Sequence, residues 1–193
     1  MRAIFFPGIV FFLVLFSCSA PAERQNKPEE DSLAASPTPK NFITNCRLLH
    51  REALRMDSIL LRETEIHKAL GIKAIKAFTG LAYECPEDSL SPVFLIKTAQ
   101  VAQAIQNVPQ AKTALDKCIA DYPNFKDRPA ALFLLATLYD EATYLNNEQE
   151  AKTLYQKIVD EYPKSPWADN AKGALKFIGK SDRQIMEELK KKR

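Results

Sequence analysis

Residues 151–163, AKTLYQKIVDEYP, echo a stretch 40 positions earlier, AKTALDKCIADYP at 111–123. Six positions are identical: Ala, Lys and Thr at the start, a Lys in the middle, and Tyr-Pro at the end. Each stretch reads as one amphipathic helix closed by a proline, whose ring and missing N–H cannot continue the helical ladder. A helix that recurs at such a spacing implies stacked copies of one supersecondary unit, none able to bury its apolar face alone. With only 5 Gly in 193 residues, the chain also lacks the turn-forming material of a strand-rich fold.

Proline punctuates the rest. Pro92, Pro129 and Pro166 stand 37 residues apart, each suited to the first turn of a helix, where the missing N–H costs nothing. A second series, Pro86, Pro123 and Pro163, closes the intervening helices. The order is therefore proline-started helix, short loop, second helix, closing proline. Ahead of it, Phe42, Cys46, Leu49, Ala53, Met56 and Leu60 make an apolar seam on one long helix, Arg62–Glu65 breaks the run, and residues 66–84 form the next helix. That seam has two uses, packing on its own domain or making a homodimer. Less than three heptads is short for a coiled coil, which favours the first. Beyond Pro166, Trp167, Ala171, Ala174, Leu175 and Ile178 give one more helix ended by Gly179, and Ser181 to Gln184 spells a capping box that opens a tail helix.

These spacings resemble the tetratricopeptide repeat. That family's second helix carries Ala, an aromatic four on, a small residue three on, and Pro five further. Ala151, Tyr155, Ile158 and Pro163 stand at those spacings, as do Ala111, Leu115, Cys118, Pro123 and Ala74, Phe78, Leu81, Pro86. The family's first-helix pattern is met by Leu132, Leu135, Ala136 and Tyr139, more weakly by Leu95, Thr98, Ala99 and Ala102, and not by Ser58, Leu61, Arg62 and Glu65. The resemblance implies an all-α fold, with antiparallel helical hairpins stacked as a right-handed superhelix of about three repeats plus a capping helix. It also implies a ligand groove along the first helices. On that register the groove residues are Ile96, Gln100 and Gln103 with Val93 in one repeat, and Phe133, Thr137 and Asp140 with Ala130 in the next. The period here is 37 against the family's 34; longer loops between repeats account for two of the intervals, and a turn lengthened at 146–150 for the third.

The N-terminus is a separate matter. Arg2 is followed by an apolar run through Phe16 that is too short to span a bilayer and reads as a secretory signal over residues 1–17. Leu15-Phe16-Ser17-Cys18 resembles the bacterial lipobox, which implies acylation at Cys18 and a place in the cell envelope, with Ser19 favouring the outer membrane. Residues 18–40, with four Pro and the acidic cluster Glu29 to Asp31, have little to bury and suit a disordered tether. The repeat domain then runs 41–193. Of the other cysteines, Cys118 falls on an apolar helix face; Cys46 and Cys85 either pair or stay free.

No catalytic constellation stands out. His50 and His67 sit in charged helical surroundings with no nucleophile beside them, there is no phosphate loop or GxSxG, no metal-ligand spacing and no cofactor motif. A formal charge of +3 gives no footprint for nucleic acid. The chain therefore reads as a non-enzymatic adaptor that binds an envelope protein or peptide, similar in layout to the small repeat lipoproteins of outer-membrane assembly and the Tol–Pal system. The alternative is a structural envelope protein that dimerises through the 42–60 helix.

Overall fold

The computed structural model describes residues 39–191, and every regular element among them is a helix: α1 (Pro39–Leu60), α2 (Lys68–Glu84), α3 (Ser91–Ala104), α4 (Val108–Asp121), α5 (Arg128–Asp140), α6 (Glu148–Glu161), α7 (Pro166–Phe177) and α8 (Asp182–Lys191). The signal over 1–17, Cys18 and the tether up to residue 38 lie outside the described residues. Helix α1 starts at Pro39, three residues ahead of the Phe42 that opens the seam, a proline in the first turn again being tolerated.

The punctuation works as chemistry demands. Pro92, Pro129 and Pro166 each occupy the first turn of α3, α5 and α7. Helices α2, α4 and α6 end on Cys85, Tyr122 and Tyr162, whose N–H groups donate to the carbonyls of Leu81, Cys118 and Ile158; the proline that follows each one forbids another turn. Asn107 and Asn147 cap α4 and α6, accepting from the N–H of Gln110 and Glu150 at 3.4 and 3.2 Å, and each follows a residue of positive φ, Gln106 or Asn146. The asparagine cap carries Glu148–Glu150 into α6, so the extra turn of the last repeat lies at 141–147 and not at 146–150. Its Tyr144 and Leu145 fold back onto the core beside α5.

The core runs along the stack in three linked clusters, as expected when each repeat touches only its neighbours. The first joins α1, α2 and α3 through Ala53, Met56, Ala74, Phe78, Leu81 and Phe94, with the Phe78 and Phe94 rings stacked at 4.7 Å. The second joins α3, α4 and α5 around Leu95, Ala99, Leu115, Cys118 and Leu135. The third joins α5, α6 and α7 around Leu132, Ala136, Tyr155, Ile158 and Ala171. All three copies of the second-helix pattern are sealed, from Ala74 to Ile158 at no more than 1 % exposure. Thr98 and Ala102, poor matches by residue type, are fully buried too; the Thr98 hydroxyl is satisfied by donating to the Phe94 carbonyl at 2.7 Å. Gly71 is required where α2 nears the end of α3, since an added Cβ would stand 2.6 Å from Ile105 Cγ2.

The tyrosines of the duplicated Tyr-Pro pair tie successive repeats. Tyr122 donates its hydroxyl to the Pro86 carbonyl at 3.0 Å, and the Tyr162 oxygen accepts from Arg128 at 2.6 Å. Arg128 also donates to the Ile119 carbonyl at 3.1 Å.

At the N-terminal end, Cys46, Leu49, Ala53, Met56 and Leu60 face α2 within the first cluster. The described part of the seam thus packs within its own domain, with Ala53 and Met56 buried and Cys46, Leu49 and Leu60 half-buried; the Phe42 side chain lies outside the described residues. Cys46 and Cys85 form a disulfide with a Cα–Cα distance of 5.7 Å, and His50 Nδ1 lies 2.7 Å from Asp88 Oδ2. His50 is therefore a clasp between α1 and the α2–α3 turn, not the freely solvated side chain its surroundings in sequence suggest. At the other end Gly179, at φ +77°, ends α7. Ser181 N–H donates to Gln184 Oε1 at 2.8 Å, and Gln184 N–H to Ser181 Oγ at 3.4 Å, completing the capping box of α8.

Candidate functional site

Counting from the opening proline, offsets of one, four, eight and eleven mark the same stripe on each first helix. On α3 these are Val93, Ile96, Gln100 and Gln103; on α5, Ala130, Phe133, Thr137 and Asp140. The same offsets on α7 give Trp167, Asn170, Ala174 and Phe177, which extends the stripe by one helix beyond the two that the sequence reading assigned.

Along this stripe the halves nearer the helix N-termini are largely filled. Ile96 is half-buried against the central cluster. Phe133 is half-buried against the last cluster, its ring centroid 5.4 Å from Tyr155 and 5.1 Å from Trp167, both tilted. Phe133 thus serves as a packing residue between α5, α6 and α7, in the tilted geometry that aromatic quadrupoles favour. On α3 and α5 the C-terminal halves are more open and polar, whereas α7 ends the stripe with the half-buried Ala174 and Phe177. Gln100 is exposed, and Gln103, Thr137 and Asp140 are half-buried. Thr137 gives its hydroxyl to the Leu134 carbonyl at 2.7 Å, so its methyl group and an oxygen lone pair remain for a ligand.

Asp140 is the one ionised group of the stripe, and its setting is unusual. Burial raises its carboxyl above the ordinary range, while the Tyr155 hydroxyl, 3.5 Å away, pulls it back down. Burial also pushes the Tyr155 phenol up, with the Asp140 charge adding to it, so the phenol stays a donor at any working pH. A concavity of about 560 Å³ opens between the start of α5 and the α6–α7 turn. Its lining includes Asp127, Glu161, Tyr162, Pro166 and Trp167, so Trp167 belongs to both the aromatic trio and this cavity. Nothing in the residue spacing announced it, because its walls come from two turns 37 residues apart.

The remaining titratable groups do structural work or face water. His67 is exposed at the residue before α2 and makes no capping bond. Cys118 is buried, and that burial pushes its thiol up to about 12, which leaves it without the thiolate a nucleophile needs. Among the described residues no three His, Cys, Asp or Glu gather as metal ligands, and no described helix is long and apolar enough to cross a membrane.

The two hairpins behind this stripe can be identified. Residues 95–124 and 130–165 match the tetratricopeptide repeat family model. No curated protein and no solved structure matches the chain. The matched segments fall on the α3–α4 and α5–α6 hairpins, with both closing prolines inside them. The α1–α2 hairpin lies outside the match: α2 keeps the repeat's second-helix pattern, whereas Ser58, Leu61, Arg62 and Glu65 are all exposed. Tetratricopeptide repeats are typically non-catalytic modules that bind proteins and peptides.

Proposed function

We propose that this chain is a non-enzymatic adaptor of the bacterial cell envelope, acylated at Cys18, held at the outer membrane, and binding a protein or peptide along α3, α5 and α7. The observation that carries the binding role is the stripe itself: the two matched hairpins present equivalent positions on α3 and α5, filled toward the helix starts and polar toward their ends, and α7 continues the row with Trp167, Asn170, Ala174 and Phe177. A stripe of that composition suits an extended peptide that offers backbone amides and neutral polar side chains to Gln100, Gln103 and Thr137, and a donor to Asp140. The envelope location draws support from the N-terminal sequence and from the Cys46–Cys85 disulfide, a bond that persists in oxidising compartments.

The binding half is tested by capture from envelope extracts with the wild-type chain and with a Gln100→Lys/Thr137→Lys variant. Neither position contributes to the core, so the variant keeps its fold. Capture of the same partner should fall at least about tenfold, the scale of a lost interface hot spot; equal capture would place binding elsewhere. The anchor half is tested by the intact mass of the mature N-terminus. A diacylglyceryl cysteine at Cys18 is the expected species, and an unmodified start at another residue contradicts it.

A further inference from the structure

Neither the repeats nor the groove uses the outward face of α1. With Leu49, Ala53 and Met56 turned onto α2, the 3.6-residue period puts Arg47, Arg51 and Arg55 on the opposite side at successive four-residue steps. Arg62 follows just past the helix end. Arg55 is held by Glu52 through bonds of 2.8 and 2.7 Å. Arg47, Arg51 and Arg62 are exposed and make no ion pair among the described residues. The other acid of the helix, Asp57, is turned to Lys97 at 2.6 Å, so it does not neutralise the row. Leucines border the arginines and stand unusually far out: Leu48 is 50 %, Leu54 41 % and Leu61 78 % exposed.

We propose that α1 docks along this face on an anionic phospholipid surface, its arginines on headgroup phosphates and its leucines at the acyl boundary. Guanidinium groups pair with phosphate oxygens in two-point geometry, and a cationic helix edged with leucine suits the interfacial layer. The face carries a shallow, open depression lined by Leu48, Arg51, Leu54 and Arg55; guanidinium and leucine side by side there suit a phosphate headgroup with its acyl boundary better than an acidic protein, whose carboxylates would use the arginines alone. Position agrees. Helix α1 is the first described element, and positions 19–38 separate it from Cys18, a span of at most about 70 Å however it is arranged. That point rests on the anchor proposed above; the charge of the face does not. The disulfide and the His50–Asp88 bond keep α1 on its domain while the outer side is engaged.

The test uses the chain from Ser19 onward, which lacks the anchor but keeps the whole core, since residues 37–193 form one compact unit. It is sedimented with vesicles of phosphatidylcholine alone or with phosphatidylglycerol added. Binding should appear only with phosphatidylglycerol, weaken as salt rises, and fall about fivefold for each of Arg47→Gln and Arg51→Gln. A Lys190→Gln/Lys191→Gln variant should bind as the parent does, and all variants should keep their helical circular dichroism. Equal binding to both vesicle types, or loss that follows the tail lysines instead of the arginines, overturns the proposal. So does binding to a polyglutamate peptide without binding to vesicles, which would give the face to an acidic protein. Vesicle binding by this chain alongside a mature N-terminus without lipid would remove the anchor and leave the docking face standing.

Discussion

Replacing the Cys46–Cys85 pair with alanine removes a cross-link between residues 39 apart. Chain-entropy reasoning for a loop of that length gives a loss of about 4 kcal/mol at 25 °C. The non-covalent hold of α1 is modest: among its described side chains only Ala53 and Met56 are buried, with Cys46, Leu49, Ile59 and Leu60 half-covered. The loss should therefore show as early melting of the α1–α2 end, ahead of the repeats, since stacked repeats need not unfold as one unit. Amide hydrogen exchange read by mass spectrometry resolves this. Protection over residues 44–60 should drop first in the Cys46→Ala/Cys85→Ala variant, and a thiol reductant should do the same to the parent but nothing further to the variant. If exchange over α1 were unchanged in both, the bond would be incidental and the helix held by packing alone. An oxidised chain with three free thiols among Cys46, Cys85 and Cys118 would refute the pairing outright.

Tyr155→Ala should cost about 3–5 kcal/mol in denaturant melts, because a fully buried aromatic leaves a large cavity; Tyr155→Phe, which gives up only a long hydroxyl contact, should cost about 1 kcal/mol or less. Tyr122→Phe and Tyr162→Phe each remove one hydrogen bond between repeats and should each cost about 1 kcal/mol in the same assay. Asp140 carries a raised folded pKa, so the folded state holds its proton longer than the unfolded chain does. Its contribution to stability should fall as pH rises from the unfolded carboxylate pKa through the folded one, and Asp140→Asn should flatten that part of a stability–pH curve. Cys118, with its thiol pushed up to about 12, should resist alkylation at pH 8 in the native protein and react at once when the chain is unfolded.

The register of the second helices was readable in the sequence because helix packing asks for fixed offsets of small and large side chains, and Ala151, Tyr155 and Ile158 keep them in three copies. The same demand explains why Thr98 and Ala102 are buried despite their poor match by type: volume and position decide burial there. The lengthened turn was misplaced at 146–150 because period arithmetic counts inserted residues without locating them, whereas the Asn147 cap decides where α6 begins. Tyr139, a core residue by pattern, is half-buried, with Lys112 Nζ 5.8 Å from its ring centroid. Phe133 shows the limit most clearly. Its offset matches the groove, but whether an aromatic at that offset faces a partner or a neighbouring helix depends on Trp167, 34 positions on. The disulfide and the His50–Asp88 clasp likewise need three-dimensional distances that no single helix period supplies.

The central claim is that partners bind along the first helices. Site-specific photo-crosslinking in cells tests it directly, with a photoreactive residue placed singly at positions 100 and 137 on the stripe and at 153 and 156 on the exposed side of α6. Adducts of one and the same partner from 100 and 137, with none from 153 and 156, are the predicted result. Adducts from α6 alone, or adducts that prove to be a second copy of this chain, would contradict it.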